Sequence, residues 1–400
     1  MVAGTRQYCS KRARSIRRGK RPGGRHHDNG IQHAIPTRKR RDCCSRPNEP
    51  GAPGVDGFAI RTRGGGMKVD GSIGWKLDRA GAEARELEER GMSGVFTAET
   101  GHDPFLPLAA AAQATSRVDI GTSIAVAFAR SPMTLAHVGH DLNAASGGRF
   151  VLGLGSQIRA HITKRFSMPW SQPAARMREF ILALRAIWAT WHEGAPLQFT
   201  GRFYAHTLMT PFFTPDNTEF GPPRVFLAAV GPLMTEVAGE VADGIIVHPF
   251  TTEKYIRETT VPALERGFAK AGKRRSDFEI SYPCFVVTGR DEQEMTRASA
   301  AARQQIAFYG STPAYRPVLD SIGAGELQGE LNAMSKQGRW TEMGALVTDD
   351  MVGAFGIVGP PEEIAERLLA RYGDIVDRTS AAYANLPNDD QARIIAELTA

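Results

Sequence analysis

Residues Ser146 to Gln157, SGGRFVLGLGSQ, constrain the fold more than any other stretch of the chain. Paired glycines close a helix, a short apolar strand follows, and the strand opens into a glycine-bearing turn. Successive side chains on a strand alternate, so Val151, Gly153 and Gly155 share one face while Phe150, Leu152 and Leu154 share the other. One face is bulky and the other nearly bare. A bare face serves either close backbone packing or a flat ligand lying against the strand, because only glycine lets a backbone approach so nearly. The turn reads as the floor of a cofactor site, but not as a dinucleotide loop, since the third glycine of that fingerprint falls at Ile158. Val118 to Phe128 repeats the design, with Val118, Ile120, Thr122, Ile124, Val126 and Phe128 facing one way. Opposite them stand Asp119, Gly121, Ser123, Ala125 and Ala127. Two strands with one large and one small face fit a barrel packed on helices outside and open at its mouth.

From Met67 onward strand and helix patterns alternate, the order expected of a parallel sheet with helical crossovers. The strands are MKVDGSIG, GVFTAE, the two above, RVFLAAVG, DGIIVHPF, FEISYPCFVV and DRTSAAYA. Between them lie helices opened by Pro132 and Pro232, or carrying Leu77, Ala80, Ala84 and Leu87 at helical spacing. Eight strands with intervening helices predict an α/β fold, a (β/α)8 TIM barrel with insertions over residues 67–400. Thr252 to Ala271 and Asp291 to Tyr309 read as helices, and Pro360 and Pro361 start a final one. The stretch Phe199 to Phe220, with Trp170 nearby in sequence, reads as a loop or hairpin forming a wall or lid over the site.

Charge is divided unevenly. Residues 1 to 66 hold sixteen Lys and Arg against four Asp and Glu, while the chain as a whole carries +6, so the body is mildly acidic. The segment RARSIRRGKRPGGRHH has neither helical nor strand period, and residues 1 to 66 read as a disordered basic extension. A nucleic-acid arm or a transit segment is one reading of it. Because a well-patterned strand begins at Met67, the preferred reading is a dispensable extension, or translated upstream sequence, ahead of the true start. Nucleic acid is then no partner of the body. Cys9, Cys43 and Cys44 sit in the extension and Cys284 alone in the body, which gives no disulfide framework. No run of residues has the apolar length of a membrane span or the core of a signal peptide, so no membrane partner and a cytoplasmic setting are expected.

In such barrels the working groups lie where strands give way to loops at the carboxyl face. That rule selects Glu99, Thr100, His102 and Asp103, then Ser123, Ser156, Gln157, Val230, Gly231 and His248. His102 is suited to exchange a proton with an alcohol or carbonyl, imidazole being titratable near neutrality. Glu99 is suited to the same task or to orienting His102. His248, followed by Pro249, is placed to touch a ligand. His102, His137, His140 and His161 are not spaced for a metal, and His137 and His140 read as surface residues of one helix.

SGGRFVLGLGSQ, IGTSIAV, AAVGP and EVADGIIVHPF together resemble the bacterial luciferase-like group of flavin and deazaflavin enzymes, especially its coenzyme F420-dependent oxidoreductases. The resemblance runs from about Met67 to the C-terminus. It implies a barrel, often a homodimer, that binds the deazaflavin or isoalloxazine ring in its mouth and acts on a small-molecule substrate. A bulge with a non-prolyl cis peptide, carried over to Ser123 and Ile124, is implied behind the ring. Gly155, Ser156, Gln157, Val230, Gly231 and Pro232 match positions that approach the cofactor. Phosphate contacts are implied around His248 and Thr251, and catalytic groups at Glu99 and His102. The resemblance implies hydride transfer to or from C5 of F420; a monooxygenase using reduced FMN and oxygen, and a non-catalytic flavin-binding protein, are the alternatives.

Overall fold

The computed structural model describes residues 66–380 and 386–400, so the expectations for residues 1–65 and for the end of DRTSAAYA lie outside the described residues. Eight parallel strands form a closed ring: β1 (Lys68–Ser72), β2 (Gly94–Thr97), β3 (Asp119–Thr122), β4 (Phe150–Gly155), β5 (Arg224–Ala229), β6 (Gly244–Val247), β7 (Glu279–Tyr282) and β8 (Arg378–Ser380). Each pairs with its neighbours in sequence order. β8 pairs back onto β1, and the contact of Ile120 and Gly121 with Phe150 and Val151 completes the circle. The crossover helices are α1 (Leu77–Glu89), α2 (Leu106–Ala114), α3 (Pro132–Ala145), α4 (Pro173–Glu193), α5 (Pro232–Val241) and α6 (Val261–Ala271). Five of them, α2 to α6, carry proline in the first two positions, where its missing N–H leaves no helical hydrogen bond unmade. The fold is the predicted (β/α)8 barrel.

The alternation of β4 is realised as read. Phe150, Leu152 and Leu154 enter the large core between strands and helices. Val151 faces inward and joins Phe96, Phe226 and Ile246 inside the ring. The bare face, however, is filled by β3. A Cβ on Gly153 would stand 1.8 Å from the Thr122 carbonyl oxygen, and one on Gly155 would stand 2.7 Å from Cδ1 of Ile124. Of the two uses open to a bare face, these two glycines serve close packing.

Below the inner aromatic layer the amino end of the ring is plugged by charge. Arg378 is fully buried. Its Nε and Nη2 donate to the two oxygens of Asp70, both at 2.8 Å, and its Nη1 donates to Asp119 at 3.0 Å and Glu279 at 2.9 Å. Arg224 bridges the same Asp119 and Glu279. Burial pushes the Asp119 carboxyl up, but Arg378 and Arg224 outweigh it and hold the group below its ordinary value. Five strands, β1, β3, β5, β7 and β8, contribute their first or third residue, so the network registers strands distant in sequence.

Four expectations are corrected. The strand read through Phe128 stops at Thr122; the Ser123–Ile124 peptide is cis, Ala125–Val126 resumes pairing with β4, and a 3-10 turn follows at Ala127–Ala129. FEISYPCFVV divides at Pro283: Phe285–Val287 leaves the ring and pairs with Gly356–Val358 as a separate parallel ribbon. With α7 (Glu292–Gly310) and several short helices, that ribbon encloses a second core around Phe250, Tyr255 and Phe355. The helix after Pro361, α8 (Ile364–Tyr372), is not the last, because α9 (Asn388–Thr399) follows β8. Finally, Phe199 to Phe220 is no lid. Glu179 of α4 collects the amides of Arg202, Phe203 and Tyr204 at 2.6 to 2.9 Å, while Phe220 lies over Gly148, so the segment runs down the outside of the barrel.

Candidate functional site in the barrel mouth

A cavity of about 320 Å³ opens at the carboxyl ends of β1, β2, β3, β7 and β8. Phe96, Phe226 and Ile246 form its floor, and Asp70, held by Arg378, stands at its base. Ser72 to Trp75 form one wall, and Thr97, Thr100, His102 and Asp103 form another, with Ser123, Ser281 and Ser380 completing the rim. His102 is exposed, and its ring lies flat on the indole of Trp75, centroids 3.9 Å apart and planes 14° apart. The indole therefore covers one face of the imidazole and fixes its plane. Trp75, Ser281 and Ser380 did not figure among the sequence candidates, although the same strand-end rule, carried to β1, β7 and β8, finds them.

Glu99 sits elsewhere. It is buried, its Oε2 accepts from the Val126 amide at 2.7 Å and from Nη1 of Arg130 at 2.6 Å, and its own N–H donates to the Ile124 carbonyl at 3.1 Å. Nη2 of Arg130 donates to Asp103 at 3.2 Å. The carboxylate is thus engaged in holding the break in β3, does not line the cavity, and makes no hydrogen bond or ion pair with His102. Ile124 rests on Gly155, so glycine at 155 is what admits the bulge.

The remaining sequence candidates, after β4, β5 and β6, lie outside the lining of this cavity. Ser156 and Gln157 follow β4, and Gln157 has φ 57°, a left-handed conformation uncommon for a side chain of its kind. Its Oε1 accepts from the Ile158 amide. Gly231 caps α5, with open space where a Cβ would stand, and Pro232 is that helix's first residue. Both line a groove between α4 and α5, not the mouth cavity. The Val230 carbonyl accepts from the Tyr255 hydroxyl at 3.4 Å. His248 packs against Tyr309 and Tyr315, and its Nδ1 accepts from the Phe250 amide at 3.0 Å. Burial pushes its pKa down to about 4, so the ring is neutral at physiological pH. Thr251 is 2 % exposed and its hydroxyl has no hydrogen-bond partner among the described residues. An orphaned buried hydroxyl of this kind fits a ligand bearing phosphate or hydroxyl groups. His140 proves buried, against Trp191 and His192, rather than on the surface.

The profile of the luciferase-like monooxygenase family matches residues 57–378. The chain belongs to this family. The match begins upstream of Met67. Within the luciferase-like relatives, an uncharacterized protein of Mycobacterium tuberculosis is 55 % identical over 312 residues, 78 % of this chain and 92 % of that protein. An F420-dependent glucose-6-phosphate dehydrogenase of Intrasporangium calvum is 26 % identical, covering 82 % of this chain and 96 % of that protein. Among solved structures, the coenzyme F420 dependent tetrahydromethanopterin reductase of Methanopyrus kandleri superposes with a TM-score of 0.67 at 20 % identity, over 84 % of this chain and 98 % of that one. That likeness is one of luciferase-like fold.

Proposed function

We propose that this luciferase-like chain is an F420-dependent oxidoreductase acting on a small organic substrate. The observation that carries the reading is the place of His102: an imidazole held flat on Trp75 in the one wall of a cavity whose rim includes Ser123 of the β3 bulge. When bound, F420 supplies a hydride acceptor or donor at C5 of its deazaflavin ring. His102 takes the hydroxyl proton of an alcohol, or gives a proton to a carbonyl oxygen, through a ring nitrogen at the edge that Trp75 leaves free. Phe96, Phe226 and Ile246 keep the floor of the cavity apolar. Ser123 and Ile124 would back the ring. Ser156, Gln157, Val230, Gly231 and Pro232 would approach the cofactor from the ends of β4 and β5, with His248 and Thr251 toward its phosphate. The name of the Intrasporangium relative supports the choice of F420.

The family's monooxygenase description favours a second reading, reduced FMN with oxygen. Turnover separates the two. With F420 and a panel of alcohols under argon, the protein is expected to bleach the oxidised deazaflavin. Oxygen-dependent turnover with reduced FMN, and none with F420, would overturn the proposal.

A further inference from the structure

The charge of the mouth cavity specifies what it admits. Among the described residues that line it, His102 alone can carry a positive charge. The arginines nearest to it are already engaged. Arg378, beneath the floor, is bound by Asp70, Asp119 and Glu279, and Arg130 is bound by Glu99 and Asp103. Arg165 does not line the cavity and gives its guanidinium to the carbonyl of Thr100, a residue of the wall. Two of the lining side chains, Asp70 and Asp103, are themselves anionic partners of those arginines. A carboxylate or phosphate entering this space would leave water with His102 as its one candidate counter-charge in the lining, and would find every nearby arginine already held by a carboxylate or carbonyl. What the cavity offers instead is a set of serine hydroxyls, on Ser72, Ser123, Ser281 and Ser380, above the Phe96 and Phe226 rings, with the Trp75–His102 stack at one side. Hydroxyls both donate and accept, which suits an uncharged alcohol or carbonyl.

We infer that the cavity binds the reacting end of an uncharged, hydroxyl- or carbonyl-bearing ring compound seated between the inner phenylalanines and the Trp75–His102 stack, and that it excludes carboxylated and phosphorylated compounds of the same size. The inference deepens the oxidoreductase reading and rests on it for the word substrate, but the binding it asserts stands on the cavity alone.

Three matched probes test it: benzyl alcohol, benzoate and benzyl phosphate, titrated into the full-length protein with tryptophan fluorescence as readout. Benzyl alcohol is expected to quench saturably, with benzoate and benzyl phosphate at least tenfold weaker. Trp75→Phe should lose most of the quench while His102→Gln, which leaves the indole in place, keeps a saturable signal. Equal or tighter binding of either anion, or no saturable binding of the alcohol, overturns the inference. A parallel F420 titration keeps the two readings apart: alcohol binding without F420 binding defeats the cofactor proposal and leaves this one standing.

Discussion

At the scale of single residues, His102 and Glu99 divide work that their spacing in the chain invited one to join. The sequence offers a carboxylate three residues before an imidazole in one loop, and a shared acid–base role follows naturally. The fold separates them, because the Val126 amide and Arg130 draw the Glu99 carboxylate under the β3 bulge. Their substitutions should therefore differ in kind. His102→Ala is expected to slow turnover by roughly 10² to 10⁴ with cofactor affinity unchanged. Glu99→Gln leaves Arg130 without its buried charge partner and is expected to lower the melting temperature and weaken cofactor binding, while the pH profile of turnover stays that of the parent. A shifted profile for Glu99→Gln would return it to the chemistry. The pairing of Trp75 with His102 was illegible for a plain reason: the two lie 27 positions apart, and no period links a residue after β1 to one after β2.

At the scale of elements, the alternation of β3 and β4 was legible and the use of their bare faces was not. Periodicity tells which residues share a face but not what stands opposite them. Here it is Thr122 of the adjacent strand and Ile124 of the bulge that follows it, so Gly153→Ala should be the more damaging of two small changes. At Gly153 the added methyl meets a backbone carbonyl, whereas at Gly155 it meets a side chain that can turn aside. Gly153→Ala is expected to cost more than about 2 kcal/mol in chemical denaturation and Gly155→Ala less, on the scale of overpacked cores. The loop after β6 gives a pH prediction. The His248 pKa of about 4 in the fold lies below the ordinary value near 6.5, so the unfolded chain binds the extra proton between those limits. Stability is therefore complete above about pH 6.5 and falls as pH drops toward 4, by on the order of 3 kcal/mol from this ring. His248→Phe should flatten that part of the stability profile. The Phe199 to Phe220 segment shows the converse limit, since scattered aromatics and turn residues describe a surface loop without saying which surface, and Glu179 decides it.

At the scale of the whole molecule, eight alternating strands and helices with glycine-rich inner faces made the barrel legible from Met67 on. The departure after Pro283, and the second core that it builds around Phe250 and Phe355, were not, because FEISYPCFVV reads as one continuous apolar run. Nor did spacing reveal the buried ring plug, which joins Asp70, Asp119, Glu279 and Arg378 across 308 positions of sequence. Arg378→Met would strand the buried Asp70 carboxylate, while Asp119 and Glu279 keep Arg224, and is expected to cost about 3 to 5 kcal/mol at neutral pH. Burial already raises the Asp70 carboxyl, and without the guanidinium it titrates higher still, so the variant's deficit should shrink on acidification to pH 5. A deficit constant with pH would show that the loss is one of packing. No described helix is long and apolar enough to cross a membrane. The proposed cofactor would join barrel, bulge and mouth into one device, and equilibrium titration of the full-length protein with F420 and, separately, with FMN is the most direct test. F420 is expected to bind saturably and at least tenfold more tightly than FMN; tighter binding of FMN, or saturable binding of neither, would contradict the assignment.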